Sequence, residues 1–342
     1  MADDGGPGGP DQPAIALAMM DGMVGYAFRP RHLDELASIG RLLDREPLTT
    51  FDDDRAAAVL AEAEVLVGHW GCPTLTADVL DRAPNLQLFA YAAGTVKWQV
   101  TDAVWQRGIA VTSAAAANAV PVAEYAVGAL LLINKGVFLF AARERDPDAV
   151  VPLDPTRVGN VGKRIGLVGA SHVGRLVIEL LAPYDLELAV ADPYLTPAEA
   201  QRLGVAKREL DDLCAWCDVL SLHAPDIEST KGMIGREQLA LLRDGATVLN
   251  TARGALIDQD ALTDELVAGR LSAVLDVSVP EPLPADSVLR TLPNVVLTPH
   301  VAGAVGREVW RLADLAVDEV RRFAAGEPPR HPVRREDLDR IA

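Results

Sequence analysis

Residues 169–174 read GASHVG, set between the apolar run IGLV (165–168) and the helix-like run VGRLVIELLA (173–182). An apolar strand that turns tightly on glycine and opens a helix leaves backbone N–H groups without partners at the positive end of a helix dipole, where a phosphate is stabilised. The stretch is one glycine short of G-x-G-x-x-G, the pattern of dinucleotide-binding turns, because Ser171 stands at the middle position. Gly169 permits the turn and Gly174 lets the helix pack closely on the strand, while Ser171 adds two heavy atoms where backbone would approach a pyrophosphate. Its hydroxyl is itself able to bond a phosphate oxygen. A second mark lies at the end of the next apolar run, where Asp192 follows Gly174 by 18 residues. A carboxylate at that distance suits a ribose hydroxyl and repels a 2′-phosphate, and Pro193 and Tyr194 bring no compensating cation. NAD is therefore expected over NADP. Taken alone, the turn fits a plain glycine turn of any α/β protein equally well.

Outward from this turn the same rhythm repeats. KRIGLVG, LELAVAD, CDVLSLHAP, ATVLNTAR, LSAVLDV and NVVLTPH each run apolar and end polar, the pattern of strands buried on both faces of a parallel sheet. A first series precedes it between residues 14 and 113, where AIALAMM, EVLVGH, LQLFAYAAG and GIAVTS alternate with helical stretches such as HLDELASIGRLL. Two α/β units are expected in the 342 residues. Long helical patterns at about 118–143 and 306–323 are long enough to bridge them, and 144–162 reads as an exposed connection. The opening MADDGGPGGPDQP, residues 1–13, has nothing apolar to bury and is expected to be disordered.

Composition excludes several classes. With 32 basic against 49 acidic residues the net charge is −17, and no basic run follows a phosphate backbone, so nucleic acid is not an expected partner. Three cysteines make no disulfide framework, and no basic and apolar leader opens the chain, so a reducing cytoplasm is expected. The apolar stretch 126–133 is well short of the roughly 18 residues of a membrane span, and no membrane partner is expected.

Three strand ends carry the remaining chemistry: NTARG (250–254), DVSVPEP (276–282) and TPHVAG (298–303). In an open parallel sheet the carboxyl ends face the ligand crevice, so Arg253, Glu281 and His300 are candidates to act there together. Each alone has a plainer reading: a solvated arginine, a turn carboxylate, a structural histidine. Together with a nucleotide turn they suit hydride transfer to a 2-oxo acid. The guanidinium fork of Arg253 would hold the carboxylate and polarise the carbonyl. His300 would carry the proton, and Glu281, if bonded to the imidazole, would fix its tautomer. The expected substrate is thus a small anion.

These segments resemble the D-isomer-specific 2-hydroxyacid dehydrogenase family. GKRIGLVGASHVGR resembles its cofactor turn, DVLSLHAPDIESTKGMI its H-x-P strand, VLNTARGALIDQDAL its arginine segment, LDVSVPEPLP and NVVLTPHVAG its Glu and His segments, and ANAVPVAEYAVGALL its interdomain helix. The resemblance implies two doubly wound parallel-sheet domains, with a Rossmann cofactor domain (118–305) inserted into a flavodoxin-like substrate domain (14–117 and 306–342). It implies NAD as cofactor, Asp192 on the adenosine ribose, and Gly169, Ser171, His172, Val173, Gly174, His223, Ala224, Pro225, Thr251, Ala252, Arg253, Asp276, His300, Ala302 and Gly303 along the cofactor. Catalytic roles fall on Arg253, Glu281 and His300. A homodimer through the cofactor domain is implied as well, for which the apolar AVGALLLINKGVFLF (126–140) is suited.

The chain departs from the family pattern at Ser171, in a stretch from Arg253 to Glu281 one residue shorter, and above all in YAAGTVKWQV (91–100). There the family commonly has a G-x-G-x-D loop whose amides bind the substrate carboxylate. Gly94, Thr95 and Lys97 are the expected substrate contacts, with Arg253 and His300, and Lys97, Trp98, or His69 and Trp70 are expected to shape a pocket for an unusual acid. Oxidation of formate, phosphite or a phosphonate, or a non-catalytic NAD(H)-sensing role like that of the family's corepressors, are the alternatives. Cys214-Ala-Trp-Cys217 is read as a buried structural pair, Trp105, Trp216 and Trp310 as core, and no metal site is expected, since neither His32 nor His331 has a partner at ligand spacing.

Overall fold

The computed structural model describes residues 12–338. The chain forms two compact units: one reaches to Asn118 and resumes at Ala304, and the other is Ala119–Gly303. The expected disorder of residues 1–13 falls mostly outside the described residues, but Pro13 is buried and its carbonyl accepts the Arg41 N–H. That end of the tail belongs to the first sheet.

Unit one holds β1 (Ala14–Ala18), β2 (Arg41–Leu42), β3 (Val65–Gly68), β4 (Leu88–Tyr91) and β5 (Ala110–Ser113), ordered β2-β1-β3-β4-β5 and all parallel. The chain winds from β1 to β2 in one direction and from β3 to β5 in the other, so the winding reverses between β1 and β3. β1, β3 and β4 are buried on both faces, as their unbroken apolar runs require. β2 is hidden in a helix-like run of sequence because two residues show no period. The tail after the last helix lies along β5: Thr112 bridges Pro332 antiparallel, Ser113 N–H donates to His331 O, and Val333 N–H donates to Val111 O. The buried carboxylate of Glu319 accepts both the Arg330 and His331 N–H groups, which fixes the tail to the helix Val309–Ala324.

Unit two holds β6 (Lys163–Val168), β7 (Leu186–Ala191), β8 (Ala206–Lys207), β9 (Val219–Leu222), β10 (Thr247–Asn250), β11 (Ser272–Leu275) and β12 (Val295–Leu297). Their order is β12-β11-β10-β9-β6-β7-β8, again all parallel. The winding reverses between β6 and β9. β8, too short for a periodic signal, is the strand the sequence conceals.

The expected single helix over 118–143 is two helices, Ala115–Asn134 and Val137–Arg145, because Gly136 takes the left-handed conformation (φ 67°) and ends the first one. The first helix also corrects the apolar length read from 126–133: with 20 residues it is long and apolar enough to cross a bilayer by length and composition. Ala123, Ala126 and Leu130 on it are buried with the strand residues Ile165, Leu167 and Leu249. Trp105, Trp216 and Trp310 are half-buried and pack against the cores of their units rather than inside them. Cys214 and Cys217 are free and buried, and burial pushes both thiols up to about 12, which leaves them protonated packing groups. His32 does have a carboxylate partner that sequence spacing conceals, since its Nε2 lies 2.8 Å from Asp314 Oδ1, 282 residues away.

Candidate active site

The glycine turn follows β6 at the point where the winding of unit two reverses, the location at which open parallel sheets hold ligands. Gly169 has φ 98°, and a Cβ there would stand 2.8 Å from Ala224 N, so only glycine allows the β6 and β9 ends to meet. A Cβ on Gly174 would collide with Gly169 O. Ser171 is the N-cap of the helix His172–Leu181: its Oγ accepts the Gly174 N–H and donates its single proton to His223 O at 2.8 Å. The hydroxyl proton thus joins the two strand ends. The amides of Ser171, His172 and Val173 donate to no acceptor among the described residues, so the helix end keeps its anion-binding donors.

Asp192 directly follows β7 and is partly exposed; Oδ2 accepts the Ala170 N–H at 2.7 Å, and Oδ1 accepts those of Tyr194 and Leu195. It thereby clamps the glycine turn while keeping lone pairs for a ribose hydroxyl. His223 is fully buried after β9. Burial pushes its pKa down to about 4, so the ring is neutral; Nε2 is 2.9 Å from Ser221 Oγ, and Nδ1 has no partner among the described residues. Ala224 meets Gly169, and Pro225 O accepts the Thr230 hydroxyl. At the end of β10 the buried Thr251 Oγ1 is likewise unpartnered, and Ala252 O accepts Arg253 Nη1–H at 2.7 Å. A side-chain-free cradle, three available amides and orphaned polar atoms on the same sheet edge fit a dinucleotide.

β10, β11 and β12 are consecutive neighbours, so Arg253, Glu281 and His300 leave the same edge of the same sheet. A Cβ on Gly254 would collide with Ser278 O, which shows how tightly the segment after Arg253 lies on the one that leads to Glu281. Glu281 Oε1 is 2.6 Å from His300 Nδ1, and both side chains are about half exposed. The Arg253 guanidinium bonds its neighbour's carbonyl and is not part of that pair. His300 has φ 54°, the one non-glycine residue with positive φ among the described residues.

What holds that turn is Asp276. Its buried carboxylate accepts the Thr298 hydroxyl at 2.6 Å and the Val301 and Ala302 N–H groups at 2.8 and 2.9 Å, while Tyr125 OH lies 2.8 Å from Thr298 Oγ1. The family resemblance implies that Asp276 and Ala302 lie along a cofactor, and the sequence bears no sign of this network. Gly303 closes the segment where the chain leaves unit two.

In unit one, the segment after β4 carries the other expected contacts. Ser113 Oγ bonds Gly94 O, Thr95 Oγ1 accepts the Lys97 N–H, and the amides of Gly94, Thr95 and Val96 donate to no acceptor among the described residues. His69, after β3, is buried: Nδ1 accepts the Trp70 N–H at 2.7 Å, Nε2 has no partner among the described residues, and burial pushes the pKa down to about 4. Trp70 is partly buried, whereas Trp98 is 77% exposed.

Residues 129–302 match the model of the D-isomer specific 2-hydroxyacid dehydrogenase NAD binding domain. The chain is 34% identical over 278 residues to D-3-phosphoglycerate dehydrogenase of Mycobacterium bovis, covering 81% of this chain and 52% of that protein. It is 27% identical over 321 residues to hydroxypyruvate reductase of Blautia hydrogenotrophica, covering 89% and 96%. A solved structure from Thermus thermophilus superposes with TM-score 0.72 at 28% identity, over 94% of this chain and all of that one. The chain spans about half the length of the phosphoglycerate dehydrogenases it matches. The chain belongs to the D-isomer specific 2-hydroxyacid dehydrogenase family, and 129–302 is its NAD binding domain.

Proposed function

We propose that this chain is an NAD-dependent oxidoreductase that interconverts a small D-2-hydroxy acid and its 2-oxo acid. The observation that carries the reading is the 2.6 Å Glu281–His300 contact on the same sheet edge as Arg253 and the glycine turn. Bound NAD(H) supplies or takes the hydride. The turn amides of Ser171, His172 and Val173 bind its phosphates, and Asp192 binds the ribose and disfavours a 2′-phosphate.

Arg253 grips the substrate carboxylate and polarises the carbonyl. In reduction, Nε2–H of His300 gives its proton to the carbonyl oxygen; in oxidation, Nε2 takes the hydroxyl proton. Both require Nδ1–H to face Glu281 Oε1, which fixes the tautomer and stabilises the imidazolium. Thr251 Oγ1 and His223 Nδ1 are donors or acceptors left for the cofactor. Asp276 positions His300 by holding Val301 and Ala302.

The test is NADH consumption with a panel of 2-oxo acids. Turnover that is lost in His300→Ala while NADH still binds supports the enzyme; tight NADH binding with no turnover on any acid overturns it in favour of a sensor. The reading includes a homodimer, supported by the exposed Leu132, Val137, Phe140 and Val150 in and after the two helices that open unit two, and sedimentation as a monomer would refute it. A cytoplasmic setting is supported by the three free, buried thiols.

A further inference from the structure

β12 lies at the edge of its sheet, paired among the described residues with β11 alone, so the chain beyond it, Thr298 to Ala302, leaves a strand with a backbone partner on one side. That stretch nevertheless keeps His300 in the left-handed region (φ 54°), a conformation that a residue with a Cβ leaves unless its surroundings hold it. Every residue of the stretch but Pro299 is bonded to Asp276. The Asp276 carbonyl accepts the His300 N–H at 2.9 Å, and its carboxylate accepts the Thr298 hydroxyl and the Val301 and Ala302 N–H groups.

The 2.8 Å contact between Tyr125 OH and Thr298 Oγ1 has a fixed direction. The threonine hydroxyl has one proton, which goes to the Asp276 carboxylate at 2.6 Å, an acceptor with no proton to return. Tyr125 is therefore the donor, and the bonds run one way, from Tyr125 through Thr298 to Asp276. Burial raises the Tyr125 phenol above its ordinary value, so it keeps that proton. Tyr125 is also a firm anchor. It belongs to the helix Ala115–Asn134, and it packs against the core in which Ala123, Ala126 and Leu130 of that helix are buried with Leu249 of β10 and Val274 of β11. The turn of His300 is thus tied to the end of β11 by Asp276 and to a packed helix by Tyr125.

We infer that Tyr125 and Thr298 are positioning residues for the proton transfer, their hydroxyls holding the turn that keeps His300 Nδ1 on Glu281 Oε1. This rests on the function proposed above, in which His300 carries the proton. Without the Tyr125 hydroxyl, Thr298 Oγ1 loses its donor, the turn is held from Asp276 alone, and His300 relaxes away from Glu281.

The experiment measures kcat, KM and NADH affinity of the full chain with a 2-oxo acid that it turns over. Tyr125→Phe, which removes one oxygen and keeps the ring, is expected to lower kcat about ten-fold, and Thr298→Val, which removes both bonds at nearly unchanged size, about 100-fold, the scale of a misplaced reacting group, with KM and NADH affinity retained. Thr298→Ser, which restores the hydroxyl, is expected to recover most of that loss. Beside Glu281→Ala, where the contact to be held is gone, Tyr125→Phe is expected to cost no more than about two-fold. Should Thr298→Val fail to fold, Tyr125→Phe and its double variant decide alone. An unchanged kcat in Tyr125→Phe, a loss undiminished beside Glu281→Ala, or a loss confined to KM or NADH affinity overturns the inference and leaves the dehydrogenase reading standing. No turnover of the natural chain on any acid overturns both.

Discussion

The two sheets reverse their winding in the same way and dress the resulting edges differently. In unit two the ends of β6 and β9 meet with Gly169 backbone against Ala224 and the small Ser171 hydroxyl on His223 O, and no bulky side chain intervenes. In unit one the ends of β1 and β3 are joined by the Met20 N–H on Trp70 O, and the tight glycine, Gly71, makes room for the Met20 side chain. One topology thus gives a bare, donor-rich edge and a clothed, apolar one. The first is suited to a phosphate-bearing ligand, since amides recognise any phosphate.

The largest expected effects break the chemistry on the bare edge. His300→Ala is expected to lower kcat by roughly 10³, the scale of a lost general acid, with NADH affinity retained. Arg253→Lys, which keeps charge and loses the fork, is expected to fall in kcat/KM by about 10². Steady-state kinetics beside NADH fluorescence titration separates these from a cofactor defect.

Acid sensitivity addresses both edges. His69 and His223 each have a folded pKa of about 4 against an ordinary 6.5, so the unfolded chain binds more protons between those values. Their contribution is whole above pH 6.5 and is lost as pH falls toward 4, at most roughly 3 kcal/mol for each. His69→Leu and His223→Leu are expected to flatten urea-unfolding stability across that window; an unchanged slope in both would refute the assignment.

The two glycines sharpen the contrast. Gly169→Ala is expected to weaken NADH binding by about 100-fold, because its Cβ meets backbone and strains the turn. Gly71→Ala is expected to cost about 1–3 kcal/mol of stability with NADH affinity unchanged. Equal effects of both on NADH would erase the distinction. The smallest effect belongs to Ser171→Ala, about 1 kcal/mol of thermal stability from the lost cap, with cofactor affinity nearly kept.

Much of this was legible in the chain. Buried parallel strands read as continuous apolar runs, and Gly169, Gly174, Arg253, Glu281 and His300 all lie where polar residues end such runs. β2 and β8 were not legible, because two residues have no period, and neither was the break at Gly136, which interrupts an otherwise unbroken helical pattern. Polar contacts between distant segments were hidden as well. Nothing local announces that Tyr125 reaches Thr298, that Asp276 holds the turn of His300, or that the serine in place of a glycine would give its proton to His223 O.

The tail along β5 carries a practical consequence. By occupying the last hydrogen-bonding rim of the first sheet, residues 331–333 deny that rim to a foreign strand. A shortened version ending before Glu327 would uncover this row of donors and acceptors and strand the Glu319 carboxylate inside without its two amides. Self-association into strand-paired aggregates, rather than simple loss of stability, is the failure to expect from trimming that end.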